Sequence, residues 1–87
     1  MSKFTTEEFK QKLDEVHQFP TVYMFKFIVT EDKTAEVEGL FPKNELELKP
    51  SSKGKYVSVT AKVMMPSSDK VIQIYKEASQ IKGLIAL

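Results

Sequence analysis

The residues best suited to chemistry in this 87-residue chain lie between positions 49 and 56. Lys49, Lys53 and Lys55 bracket Ser51, Ser52 and Gly54, and Tyr56 follows at once. Ammonium groups, hydroxyls and the backbone amides of a glycine-containing turn are the ingredients of an anion site. The spacing is not that of a Walker-type phosphate loop, which needs a longer glycine frame with a helix directly behind it. The same composition also makes a solvated hairpin turn whose charges keep other chains from pairing. Three readings therefore stand side by side for Lys49, Ser51, Ser52, Lys53, Gly54, Lys55 and Tyr56: a small-anion site, a contact for a macromolecular partner, and a plain turn.

Elsewhere the chemistry is thin. The chain holds no cysteine, which excludes disulfides, thiol nucleophiles and thiolate metal sites. It holds one histidine, His17, so no pair of histidines can share a metal. His17 falls near the end of the first helical segment, where a cation favours the helix dipole, and no Ser–His–Asp or Cys–His pattern surrounds it. All 13 basic residues are lysine. Arginine is the usual fork for phosphate, carboxylate and guanine, so phosphoryl transfer and sequence-specific DNA reading are disfavoured. The formal charge of +1 implies no general pull towards nucleic acid or membrane. It is unevenly spread: residues 31–47 are locally acidic and 48–62 locally basic, which reads either as an ordinary solvated surface or as a polarity that can orient a partner. We expect no catalytic residue, no cofactor-binding residue, no metal ligand and no enzyme activity.

These residues must be positioned by a small set of elements. With Thr5 as cap and Glu8 three residues later, the first helix has a capping box, and Phe4 and Phe9 occupy the staple positions. Phe9, Leu13 and Val16 form its apolar stripe, and Phe19-Pro20 ends it. Val22 to Thr30 alternates as a strand, with Tyr23, Phe25, Phe27 and Val29 on one face and Met24, Lys26 and Ile28 on the other. Glu31 to Leu40 reads as a short helix with Ala35, Val37 and Leu40 inward. Glu45 to Lys49 alternates as an edge strand with Leu46 and Leu48 inward. Tyr56 to Met65 is its hairpin partner, with Val57, Val59, Ala61 and Val63 on the core side. Ser67 or Ser68 caps a last helix carrying Val71, Ile74, Tyr75, Ala78 and Ile81, and Gly83 suits its left-handed end. Leu84 to Leu87 forms a final short strand.

The order is one helix followed by β-α-β-β-α-β, the ferredoxin-like α+β sandwich. We expect a single domain over residues 1–87, with 1–20 a helical extension and 21–87 the core, and an antiparallel sheet of strand order 4-1-3-2. Met24, Lys26, Tyr56, Ser58, Thr60 and Lys62 then fall on the uncovered face. RNA-binding sheets of this topology stack bases on two or three central aromatics. Here Tyr56 alone has the right parity and sits at a strand end, so nucleic acid is not the expected partner.

Phe19-Pro20, the run Lys49-Pro-Ser-Ser-Lys-Gly-Lys-Tyr-Val-Ser-Val-Thr60 and the order of elements resemble the YbeD-like family, small bacterial proteins classed as a domain of unknown function. The resemblance covers nearly the whole chain, with a helix between the first two strands about two turns shorter than the family's. It implies a ferredoxin-like fold similar to the ACT domains that sense amino acids, and no catalytic residues. Those domains commonly place a glycine loop after the first strand, where this chain has Thr30-Glu31-Asp32-Lys33. The expected function is that of a small regulatory or protein-interaction domain, non-enzymatic, that binds a protein partner or itself. The alternative is an ACT-like sensor of a metabolite or anion. The start Met-Ser-Lys-Phe-Thr-Thr-Glu-Glu turns acidic at once, and the longest apolar run, Val22 to Val29, contains Lys26 and falls short of the ~18 residues of a membrane helix. A cytoplasmic protein without membrane contact is expected.

Overall fold

A computed structural model describes residues 6–52 and 54–87. In chain order the elements are α1 (Thr6–Val16), β1 (Thr21–Thr30), a single 3-10 turn (Glu31–Lys33), α2 (Thr34–Glu38), β2 (Glu47–Pro50), β3 (Tyr56–Met65), α3 (Ser68–Ala78) and β4 (Ile85–Ala86). The strands form one antiparallel sheet in the order β2-β3-β1-β4. This is the ferredoxin-like arrangement expected from the sequence.

Strand parity decides which residues become core. Directly paired residues of antiparallel strands share a face. The β1–β3 register sets Phe25 opposite Ala61, Phe27 opposite Val59 and Val29 opposite Val57, and all six are buried. Onto them α3 packs Val71, Ile72, Ile74 and Ala78, while Val37 of α2, Phe41 and Leu13 of α1 close the cluster. The aromatic rings interlock: Phe25 lies 5.2 Å from Phe41 and 5.3 Å from Tyr75, centroid to centroid. Such offset and edge contacts add to the area the rings bury. At the start of α3 the Ser67 hydroxyl accepts the Lys70 N–H at 3.3 Å, so Ser67 is the cap. Ser68 instead is buried, and its hydroxyl accepts from the Lys10 ammonium of α1 at 3.1 Å.

Several expectations need correction. Thr5 and Phe4, and with them the capping box and the staple, lie outside the described residues. Val16 is 75% exposed and leaves the apolar stripe. Lys10 bonds to Ser68, the first residue of α3, and Asp14 lies one turn further along α1. Helical spacing gives Val16 the right side of α1, but no neighbour among the described residues covers that end of it. The 31–40 helix is a 3-10 turn joined to the five-residue α2, and Ala35 is exposed while Val37 is buried. At ~100° per residue, positions 35 and 37 fall on nearly opposite sides of a helix and cannot both face inward. Leu48 has core parity, opposite Val59, yet is 43% exposed, because β2 is an edge strand with a neighbour on one side only. The last helix stops at Ala78, and its chain continues through turns, the Ile81 N–H reaching the Ala78 carbonyl at 2.9 Å. Gly83 has φ +80°, the left-handed conformation expected of it. β4 has two residues rather than four, extended by one bond from the Leu87 N–H to the Lys26 carbonyl at 2.9 Å.

Candidate functional site

One face of the sheet carries α2 and α3, and the other carries no element among the described residues. On that free face the register aligns Lys49, Ser58, Ile28 and Ile85 in one row across all four strands. Tyr56 begins the next row, opposite Thr30. The hairpin closes just beyond. The Ser51 N–H donates to the Tyr56 carbonyl at 2.8 Å, and the Tyr56 N–H reaches the Ser51 hydroxyl at 3.4 Å. The Gly54 N–H donates to the Ser51 carbonyl at 2.9 Å, with Gly54 at φ +71°. That φ is one an L side chain adopts at a cost, which is the physical reason for glycine here.

The row and the turn together bound an open concavity of about 310 Å³. Ile28, Pro50 and Tyr56 supply apolar wall, Ser51, Ser52 and Ser58 supply hydroxyls, and Lys49 stands among them. The Lys55 ammonium lies 5.7 Å from the centroid of the Tyr56 ring. Of the loop residues singled out from sequence, Lys49, Ser51, Ser52 and Tyr56 are thus brought together. Lys55 approaches through Tyr56, Gly54 shapes the turn, and Lys53 lies outside the described residues. Ile28, Pro50 and Ser58 complete the concavity and were missed as site residues. Their free-face parity is readable from alternation for Ile28 and Ser58, but the register that sets them beside Lys49 is not.

The far half of the same face is apolar. Val22 pairs with Met64, and Met24 with Lys62. Val22 and Met24 are each 55% exposed and Met64 61%. Lys26 and Lys62 rise beside them, and Glu45 and Glu47 flank Lys62 across a smaller depression shared with Thr60. The ion pairs among the described residues are made by Lys10 and Lys33, on the helical side.

On the covered side the polar groups serve packing. His17 sets its ring against Tyr23 at 5.3 Å and Phe19 at 5.8 Å. The Tyr23 and Tyr75 hydroxyls are 3.1 Å apart, and burial, reinforced by that bond, pushes the Tyr75 phenol well above its ordinary range. The Ser68 hydroxyl and the Lys10 ammonium hold Asp14 below the usual carboxylate value; at the end of β1, with free-face parity, the Thr30 hydroxyl does the same for Asp32 at 2.6 Å. Among the described residues no three His, Asp or Glu side chains gather as a metal would require, and no helix is long and apolar enough to cross a membrane.

Fold and site define a small α+β sandwich of ferredoxin-like topology that presents one free sheet face. The chain belongs to the YbeD-like family described as "Protein of unknown function (DUF493)", which matches residues 14–87. Similar proteins include the UPF0250 protein of Shewanella piezotolerans strain WP3, 32% identical over 80 residues that span 84% of this chain and 91% of the relative. The UPF0250 protein of Shewanella oneidensis is 34% identical with the same coverage. No solved structure matches the chain.

Proposed function

We propose that the protein is a small non-enzymatic regulatory or interaction domain, and that it docks a protein partner on the free face of its sheet. The observation that carries this reading is the exposed cluster of Val22, Met24 and Met64, which the strand register holds together on one face. Burying a valine or methionine side chain fully is worth ~1.5–3 kcal/mol, and association must first offset several kcal/mol of lost freedom. These side chains are 55–61% exposed, so docking recovers about half of that from each, ~2–5 kcal/mol in all, and further contacts with the partner must supply the rest. Lys26 and Lys62 flank the patch, and Lys49 stands at the far end of the same face. Against them the face sets Glu47, with Glu45 at its edge. The partner that complements this surface is an amphipathic segment with acidic flanks. The setting we propose is the cytoplasm, since a chain built without cysteine suits a reducing compartment.

A photo-reactive amino acid placed at Met24 in living cells tests the reading, with the exposed helix position Gln73 as control. A discrete adduct from position 24, absent from position 73 and lost on combining Lys26→Glu with Lys62→Glu, supports it. Equal labelling from both positions, or an adduct of twice the chain's mass that survives the charge reversals, overturns the acidic-partner reading in favour of chance collision or self-association.

A further inference from the structure

The concavity at the hairpin end has a chemistry different from the apolar half of the face, and we infer that it is a binding site for a small ligand that joins one compact apolar group to a carboxylate or phosphate. It uses the other end of the sheet from the Val22, Met24 and Met64 patch and shares only the Lys49 charge with the docking reading above.

Size limits the ligand first. Small-molecule clefts run from ~300 to 1,000 Å³, and this one, at about 310 Å³, is at the lower limit. It admits a single ring or a short branched chain with one anionic group, and nothing as large as a nucleotide. The lining then specifies the two ends. Ile28 and Pro50 with the Tyr56 ring form an apolar wall against which such a body packs. The hydroxyls of Ser51, Ser52 and Ser58 are donors on the same surface.

The charge follows from register. Lys49 is directly opposite Ser58, so its side chain rises from the same face as the Ser58 hydroxyl. No ion pair to Lys49 or Lys55 occurs among the described residues. Lys55 brings a second ammonium to the Tyr56 ring. The nearest carboxylate on the strand, Glu47, is one row further along, opposite Thr60. The concavity is therefore lined by one lysine, Lys49, and three serines, with Lys55 beside it on the Tyr56 ring and one carboxylate on the next row. A ligand that is only anionic leaves the apolar wall wet, and one that is only apolar leaves the lysines unused.

Amide and methyl NMR titration of the full chain separates these cases. The probes are phenylphosphate and phenylacetate, which have both parts, and inorganic phosphate and benzyl alcohol, which have one each. Saturable shifts confined to Ile28, Ser51, Ser52, Tyr56 and Ser58, from either two-part probe and at least about tenfold tighter than from both one-part probes, support the site. Which two-part probe binds more tightly distinguishes phosphate from carboxylate ligands. Lys49→Glu combined with Lys55→Glu should weaken that binding by about tenfold with the remaining spectrum unchanged, since both positions are exposed. Tyr56→Leu should weaken the two-part probes and leave inorganic phosphate as it was. Shifts spread over lysines throughout the chain, or equal affinity for inorganic phosphate and phenylphosphate, would overturn the inference. So would no saturable shift at these residues from any probe.

Discussion

The phenol hydroxyls of Tyr23 on β1 and Tyr75 on α3 meet at 3.1 Å, the point where the helix is tied to the sheet by a hydrogen bond as well as by packing. Four aromatic rings surround Tyr75: Phe9, Tyr23, Phe25 and Phe27. Ionising a phenol there places a charge against apolar rings, so the folded state keeps its proton where the unfolded chain has lost it. The unfolded phenol ionises near its ordinary value of 10.0 and the folded one well above it. The stability this group contributes is complete below pH 10 and declines as pH rises beyond it, by at most about 1.4 kcal/mol per pH unit. Denaturation measured from pH 9 to 11.5 should show the wild type losing stability more steeply than Tyr75→Phe, which has no proton to lose. Parallel curves would show that the phenol ionises alike in both states.

Phe27 tests the face assignment on which the free surface depends. It is fully buried, opposite Val59, with its ring 6.1 Å from Phe25 and 6.0 Å from Tyr75. Phe27→Ala should cost ~3–5 kcal/mol in urea denaturation, a large part of the ~5–15 kcal/mol that holds a small domain folded. Lys26→Ala, one residue away on the opposite face, should change stability by no more than ~0.5 kcal/mol. A cost below ~1 kcal/mol for Phe27 would mean that the covered and free faces are exchanged.

What the sequence discloses and what it hides divide along a physical line. Alternation is local, so the two faces of β1 and β3 are legible from residues 22–30 and 56–65 alone, and they are the faces the structure shows. The strand order follows from topology once the elements are placed. Cover is not local. Leu48 alternates correctly and is still half exposed, and Val16 keeps helical spacing and has nothing above it. Phe41, between a helix end and Pro42, belongs to no periodic pattern, yet it is buried against Phe25. Ile72 is buried too, although Val71 and Ile74 satisfy the helical stripe without it. The site behaves in the same way. Lys49, Ser51, Ser52 and Tyr56 are close in sequence and visible as a motif, whereas Ile28 lies 21 residues before Lys49 and joins them through the β1–β3 register.

The hairpin turn offers a way to separate architecture from chemistry in the same few residues. Gly54 has φ +71°, and a methyl group added there would meet no atom within 4 Å. The cost of Gly54→Ala is therefore one of backbone conformation and not of collision, about 1 kcal/mol. Gly54→Asn should recover part of it, because asparagine visits the left-handed region more readily than alanine does. Lys49→Glu and Lys55→Glu should give the opposite profile, with stability unchanged within ~0.5 kcal/mol and anion binding weakened. The same reversals should remove most of the salt dependence of that binding, which exposed charges impose once the screening length falls to ~8–10 Å. Thermal denaturation of these variants beside phenylphosphate titrations at about 50 and 300 mM salt gives both readouts. If Gly54→Ala lowers stability while the charge reversals alter neither affinity nor its salt dependence, the segment from Lys49 to Tyr56 is a turn that glycine closes, and its lysines are solvated charges without a ligand.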